Sequence, residues 1–545
     1  LEKKLNSALN AAQFENTLIT RQLAETQSAL ADAQSRYRKI HNSRTWSLVR
    51  KSRKLRQSLS LKALIRKIRQ LLPATKPANT APRTPKPVLV KGPASAKDTP
   101  SELAIVIADT GASVSPEAQQ RIKDWIGQGY DVTVCGKARQ WNKLGASVMP
   151  CDAAGIVQAV NHTITDTHSA FVLVVTSPEH TVQGLEHIKA GFVNFEKLAV
   201  VSAVENHAGN VHAAGAILKD GQIVPQHQGE RSGASSVTRL MPTPVLWPSV
   251  VAVDQDSFVH LRALPPATSL EEALIAFGAQ ARAHGLEIAV NGLLTTEQPS
   301  PRSTIAVTSG LIDPLHADPP PERPWVLFTD GGTPTPDKDS GSIDLCWFLK
   351  IFRELGYQIA FLPYHQRDHA GSYTDKLRLL GIETLQSDDV AEPWLHLRDH
   401  GARYDVALVY RVTTAAYILE PLRTFAPDAK IIFDTVDLHF LREEMAAKTS
   451  GAAADLENAK ATRVQELAAM QASDATILLS ASEDVLIGKL LPKVRRKLIS
   501  LVRHIPGRTR GAEGRQDAIF VGGFLHRPNV DAALYLCKDI WPAVR

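Results

Sequence analysis

The sequence predicts an α/β protein: a helical N-terminal extension followed by two regions in which strand and helix signals alternate. Three observations carry that expectation. With 545 residues the chain is too long for a single core and calls for about three domains plus extensions. A first alternating region begins at Leu103-Ala104-Ile105-Val106-Ile107, continues through a helix from Pro116 to Gly127, and returns to a strand at Asp131-Val132-Thr133-Val134. A second begins at Trp325, where the apolar run Trp325-Val326-Leu327-Phe328 leads into Asp330-Gly331-Gly332 and a loop dense in Pro, Asp, Gly and Ser.

Beyond that loop, Ile343, Trp347, Leu349, Ile351, Phe352 and Leu355 recur at helical intervals, with Ser340 or Ser342 placed to cap the start and Gly356 the end. Ile359 to Leu362 supplies the next strand. The unit reads as the βαβ opening of a doubly wound sheet, whose ligands collect at the carboxyl ends of the strands. A glycine-bearing loop entering a helix presents unpaired N–H groups and the positive end of a dipole, which suits phosphate or a developing oxyanion. It carries neither the G-x-G-x-x-G dinucleotide fingerprint nor a G-K-[ST] phosphate loop. By spacing alone it is equally a long surface loop on an ordinary α/β domain.

Both ends suggest a piece of a longer protein: residue 1 is Leu, and the chain stops at Arg545 just after what reads as the first strand and helix of a further domain. Four cysteines, Cys135, Cys151, Cys346 and Cys537, lie far apart without a C-x-x-C pair, which argues for a reducing compartment and against a thiolate zinc site. No apolar run approaches a membrane span. The net charge of +6 is concentrated locally rather than spread.

Residues 1–42 carry a heptad seam, Leu5, Ala12, Ile19, Ala33 and Ile40 at one position and Leu9, Leu23, Leu30 and Tyr37 at the other. It predicts a short parallel coiled coil and self-association, or else a single helix lying on its own protein. Residues 43–72 continue as a basic amphipathic helix. Arg36 to Arg69 contains no acid, and Leu61, Leu64, Ile65, Ile68 and Leu72 form an apolar stripe. This is the form of an interfacial helix drawn to an anionic membrane surface, with a solvated helix as the bland alternative. Nucleic acid would want the same charge, but beyond Trp46 there are no stacking aromatics and no recognisable nucleic-acid module, so it is not the expected partner. Residues 73–101, rich in Pro, Ala, Lys and Thr, read as an extended linker.

Residues 102–298 form the first α/β domain, with further strands at Phe171-Val172-Leu173-Val174-Val175 and Leu198-Ala199-Val200-Val201. Three stretches in order are Phe171 to Glu179, Ala213 to Gly221 and Trp247-Pro248-Ser249-Val250-Val251-Ala252-Val253. Together they resemble a worn glycosyltransferase family 2 domain of the GT-A type. In that family the strand ends in an Asp cluster holding a divalent metal and the nucleotide diphosphate. Here the place reads Thr176-Ser177-Pro178, and hydroxyls do not replace carboxylates for a hard cation. Glu271-Glu272 stands where a remnant of the catalytic-base motif would fall, yet acids are common at a helix start for dipole reasons alone. An inactive or structural domain is expected.

After a linker at 299–323, the second domain spans 324–510. It has strands at Asp405 to Tyr410, Lys430 to Asp434, Ala475 to Leu479 and Leu498 to Val502 in a Rossmann-like parallel sheet. Three motifs occur in order: Pro334-Thr335-Pro336-Asp337-Lys338-Asp339-Ser340-Gly341-Ser342; Phe433-Asp434-Thr435-Val436-Asp437-Leu438-His439-Phe440-Leu441-Arg442-Glu443-Glu444; and Phe520-Val521-Gly522-Gly523-Phe524 with His526, Pro528-Asn529-Val530-Asp531 and Trp541-Pro542. This combination resembles bacterial glycosyltransferases of family 4. The resemblance implies a GT-B fold of two facing Rossmann-like domains and metal-independent sugar transfer with retention, in the cleft between them. Only the first of the two domains would be complete, with residues 515–545 the start of the second. This stretch alone is therefore expected to be inactive.

The resemblance also distributes roles. Gly331, Gly332, Asp337, Asp339, Ser340 and Gly341 would form the acceptor or phosphate loop, and Asp434, Asp437 and His439 the catalytic edge. Gly522, Gly523, His526, Arg527 and Asn529 would meet the donor, with Gly523 and Asn529 standing where the family commonly has Arg and Lys. Without the resemblance, Asp437 would be a cap of the next helix and His439 a locally packed ring. His365 and His369 flank Asp368, but no third spaced ligand accompanies them, so no metal is expected; Arg495-Arg496-Lys497 reads as a solvated turn before a strand.

The expectation is a glycosyltransferase using a nucleotide sugar as substrate, with no cofactor, a cell-surface glycan or lipid-linked acceptor, and a cytoplasmic, peripheral position at the inner membrane face. A non-catalytic membrane-associated scaffold of a glycan-assembly complex is the alternative. A nucleotide-dependent oxidoreductase is a third, disfavoured by the missing fingerprint.

Overall fold

The computed structural model describes residues 101–109, 114–137, 141–195, 197–297, 302–306, 323–503, 518–522 and 527–544. The coiled coil at 1–42, the basic helix at 43–72 and nearly all of the linker at 73–101 lie outside these residues. The chain is a mixed α/β protein with parallel sheets, as its sequence predicts.

The first domain contributes β1 (Leu103–Asp109), β2 (Asp131–Gly136), β3 (Ser147–Pro150), β4 (Phe171–Val175), β5 (Thr181–Gln183), β6 (Leu198–His207) and β7 (Asn210–Ala213). It continues with β8 (Ala216–Lys219), β9 (Gln222–Pro225), β10 (Leu240–Pro242), β11 (Val250–Asp254), β12 (Glu287–Glu297) and β13 (Ile305–Ala306). The main sheet runs β10-β12-β6-β11-β4-β1-β2-β3, with β5 beside β12 and β7 beside β6. β1, β2, β3 and β4 are mutually parallel, whereas β11 is antiparallel to both β4 and β6. Every residue of β1 and β4 is buried, which is why both read as unbroken apolar runs rather than as alternations. Helix α1 (Pro116–Gly127) starts where expected: Pro116 occupies the first turn and the Ser115 side chain accepts from the Ala118 N–H.

The second domain contains β14 (Trp325–Gly332), β15 (Gln358–Gln366), β16 (Glu383–Thr384), β17 (Tyr404–Tyr410), β18 (Lys430–Asp434), β19 (Ala475–Leu478) and β20 (Arg496–Leu498). All pair in parallel in the order β16-β15-β14-β17-β18-β19-β20, so the strand order reverses between β14 and β17. That reversal opens a crevice at the carboxyl edge. One face of the sheet packs on α2 (Ser340–Glu354) through Val326, Phe328, Leu345 and Leu349. The other packs on α3 (Val412–Phe425) through Leu327, Val409, Ile418 and Leu422. Helices α4 (His439–Ser450), α5 (Ala453–Ala472) and α6 (Ala481–Leu490) follow β18 and β19.

Four expectations about this domain need correction. Asp339, not Ser340 or Ser342, caps α2, its carboxylate accepting from the Ser342 N–H. The buried side of α2 is Gly341, Ser342, Asp344, Leu345 and Leu349, while Leu355 is 61% exposed. The last strand pairs over Arg496–Leu498, earlier than Leu498 to Val502. The reason is that the chain leaves the sheet after Ile499, and Val502 N–H turns instead to the Asp344 carboxylate at 2.7 Å. Arg496 is accordingly no solvated turn residue: its Nε donates to Asp484 at 2.9 Å.

The two domains meet through buried polar contacts. The Arg239 and Arg403 guanidinium groups lie 5.6 and 4.3 Å from the Trp325 ring, and Arg239 Nη1 donates to Gly381 O at 3.1 Å. Arg353 Nη2 donates to Asn194 O at 3.1 Å with its guanidinium 4.5 Å from Phe195. Ser235 N donates to Asp389 Oδ1 at 3.1 Å. Residues 518–522 carry no strand pairing, and a helix at Arg527–Tyr535 follows them.

Candidate functional site

The carboxyl edge of the second sheet gathers charged groups from four segments. Asp330, near the end of β14, is 3% exposed and ion-paired with Arg411, the residue after β17. A second nitrogen of the same guanidinium reaches Asp339 Oδ1 at 2.8 Å. Arg411 therefore bridges both lips of the crevice, and it does so with φ at +64°, a region that non-glycine residues rarely occupy. Gly341 makes room for it: a Cβ there would stand 2.6 Å from Arg411 Nη2 and 2.8 Å from Val436 Cγ1. Burial raises the Asp330 pKa, with Arg411 opposing.

Asp434 closes β18 at 3% exposure and accepts from the Val436 N–H at 2.9 Å. That bond holds Val436 at φ +62°, a costly conformation for a β-branched residue. Burial, reinforced by the Asp344 and Asp330 charges, pushes the Asp434 carboxyl up to about 7. Asp434, Asp344, Phe348, Tyr410 and Ser500 line a small cleft. The Tyr410 hydroxyl faces no hydrogen-bond partner among the described residues and is fully buried. Its pKa is raised by that burial and by the neighbouring carboxylates.

The turn into α4 places Asp437 and His439 together. His439 Nδ1 lies 2.9 Å from Asp437 Oδ1 and donates toward Asp437 O at 3.0 Å, while Arg442 pairs with the other carboxylate oxygen. Burial alone would lower the His439 pKa, but its hydrogen bond and ion pair with Asp437 outweigh it and hold the imidazole above its ordinary value. Asp437 is lowered despite burial, through His439 and Arg442. His439 Nε2 has no partner among the described residues.

Asp437 does not cap α4. Glu466, reaching over from α5 and fully buried, accepts from the His439 and Phe440 N–H groups instead. Burial pushes the Glu466 carboxyl up to about 7, with the Phe440 N–H and His439 opposing.

Among the other expected site residues, Gly331 and Gly332 are the final residues of β14 rather than a loop. A Cβ on Gly331 would meet only His365 Cδ2, at 3.8 Å. Asp337 accepts from the Tyr373 hydroxyl at 2.7 Å, away from Arg411. Ser340 Oγ receives Arg503 Nη2 at 2.6 Å. Gly522 lies against Asn529, a Cβ falling 3.0 Å from its Cγ. Gly523 and His526 lie outside the described residues, and Arg527 opens the helix Arg527–Tyr535. His369 Nε2 donates to Asp375 Oδ1, 3.1 Å away, with Nδ1 accepting from the Gly371 N–H, and His365 turns to Thr413 O, so the two do not converge. Among the described residues no group of three or more His, Cys, Asp or Glu side chains is set to hold a metal.

Sequence reading missed Arg411, Asp344, Arg503 and Glu466. Each acts through a partner distant in sequence, and only Asp330, near the end of β14, hinted that a cation must meet it.

In the first domain, the end of β4 does not fit a divalent cation. Thr176 Oγ1 donates to Ser249 O at 2.8 Å, and Glu205 is spent on Trp247 Nε1 and Ser249 Oγ. Glu179 turns back to accept from Ser115 N and Oγ at 2.9 and 2.7 Å, filling the amino terminus of α1 with the chain's own carboxylate. Ser269 caps the helix Leu270–Ala283, accepting from the Glu272 N–H at 3.1 Å, and the Glu272 carboxylate turns back to accept from Thr268 N and Oγ1 just before the cap.

No protein-family model matches the chain, and no curated protein does. Among solved structures it is similar to GalNAc-T7 with UDP, GalNAc and Mn2+, at 10% identity and a TM-score of 0.29, over 37% of this chain and 45% of that one. It is also similar to S. aureus TarS, at 12% identity and a TM-score of 0.24, over 38% and 37%. The chain thus spans less than half of either.

Proposed function

We propose that the second domain is the acceptor side of a nucleotide-sugar-dependent glycosyltransferase of the GT-B, family 4-like kind. The observation that carries this reading is the Asp437–His439 pair at the carboxyl edge, with Nδ1 held and Nε2 unpartnered. Asp437 orients the ring and keeps its outer nitrogen directed to a ligand. His439 then accepts the proton of an acceptor hydroxyl as that oxygen bonds to the anomeric carbon of the donor sugar and the bond from that carbon to the nucleoside diphosphate breaks, the diphosphate leaving with the electron pair. The three motifs in order, from Pro334 through Trp541, support sugar transfer as the chemistry and retention as its outcome. The acceptor is a surface glycan or lipid-linked saccharide at the inner membrane face, which the basic stretch from Arg36 to Arg69 favours. No helix among the described residues is long and apolar enough to cross a membrane.

Sugar transfer and donor hydrolysis by the full-length protein test the reading. Asp437→Asn and His439→Ala should each lower transfer by about 10²-fold or more with folding intact. Unchanged rates in both would remove the site. A non-catalytic scaffold is the second reading, favoured by one observation: Arg411 already occupies the crevice with an internal ion pair.

A further inference from the structure

At the other flank of the crevice, three rings stand together outside any role assigned so far. Tyr364 and His365 lie near the end of β15, and Tyr417 projects from α3. Tyr364 and Tyr417 stack, with centroids 5.6 Å apart and planes 20° apart. His365 is set nearly perpendicular to both, at 76° and 87°, with centroid distances of 5.1 and 5.5 Å. Tyr417 is 57% exposed and His365 is exposed, so the corner is open to solvent. His365 also overlies Gly331, which ties the corner to the carboxyl edge.

We propose that this corner is a carbohydrate subsite that seats one saturated sugar ring of the acceptor. The chemistry follows from its shape. Because the two tyrosines stack on each other, they present one outward π face, a floor rather than a slot closed on both sides. A pyranose has one face of C–H bonds, weakly positive, that suits the negative face of a single aromatic floor. The imidazole stands beside the stack, about equally far from both ring centroids, so its edge offers a polar partner at the rim of that floor. His365 Nε2 lies 3.4 Å from the Thr413 carbonyl, which can only accept, so in the neutral ring Nε2 is the N–H. Nδ1, without a partner among the described residues, is then an acceptor for a sugar hydroxyl.

This subsite rests on the transferase reading for its place in a reaction, but its test is equilibrium binding. The full chain is titrated with the methyl glycosides of glucose, galactose, mannose and rhamnose, read by saturation transfer from the aromatic protons. At least one glycoside should receive saturation at its ring C–H protons. Tyr417→Ala should weaken it about five- to tenfold, and Tyr417→Phe or Tyr417→Trp should keep it. His365→Phe should keep stacking and lose hydroxyl discrimination among the glycosides.

A glycoside signal indifferent to Tyr417→Ala overturns the proposal. So does preferential binding of UMP or AMP at the same rings. Binding that behaves as expected in a protein that transfers no sugar sinks only the transferase reading. Intact transfer with an acceptor KM unmoved by Tyr417→Ala sinks only the subsite.

Discussion

Arg411 and Asp330, 81 residues apart, form an ion pair across the point where the strand order of the second sheet reverses. The carboxylate is almost completely enclosed and the guanidinium only partly so, hence the pair costs more to break than to replace.

Arg411→Ala leaves Asp330 buried without its counter-ion and should destabilise the protein by about 3 to 5 kcal/mol, read by urea unfolding. Arg411→Lys should recover little of it, because one ammonium cannot serve Asp330 and Asp339 with two separate nitrogens. Joint replacement, Asp330→Asn with Arg411→Met, should cost clearly less than Arg411→Ala.

Gly341→Ala drives a methyl group into Arg411 and Val436, and should cost about 1 to 3 kcal/mol. Gly331→Ala, with nothing nearer than 3.8 Å, is the control and should stay within about 1 kcal/mol.

Asp434 and Glu466 both have carboxyl pKa values raised by burial to about 7, so the folded state holds their protons more tightly than the unfolded chain does. Their contribution to stability is complete below the ordinary carboxylate range and is lost as pH rises through about 7. The urea midpoint should therefore fall between pH 5 and pH 8. Asp434→Asn should flatten that slope while leaving stability at pH 5 nearly unchanged. A slope of the same size in Asp434→Asn would show that the carboxyl does not titrate there.

Arg239→Ala removes one of the two cations on Trp325 and the donor to Gly381 O. The intact chain should show one thermal transition for the two domains and the variant separate ones, with a change in Trp325 emission at the first.

Much of this architecture is legible in the chain because buried strands declare themselves: Phe171–Val175 begins and ends where its apolar run does, and Lys430–Asp434 extends its own run, Ile431 to Phe433, by one residue at each end. Helix Pro116–Gly127 is equally plain, with Ser115, Pro116 and a following Gln-Gly turn. The start of α2 is not, because Asp339, Ser340 and Ser342 are all competent caps and only the tertiary position of Arg411 selects the first. Glu466 escapes notice for a different reason: it lies mid-helix, 27 residues from the amide it serves, and looks like a solvated acid until α5 folds back over α4. The run from Leu498 to Val502 misleads because its apolar pattern is indifferent to which residues pair, while Asp344 decides where the strand ends.

The seat of Trp325 between Arg239 and Arg403 bears on how this chain can be dissected. The proline-rich linker at 299–323 invites a cut, since everything about its composition marks a border. A polypeptide begun there would keep its own sheet yet display an indole with one of its two cations missing, together with the Gly381 carbonyl that Arg239 serves and an Asp389 carboxylate without the Ser235 N–H. Insolubility of such a piece would testify to the missing neighbour, not to a faulty fold.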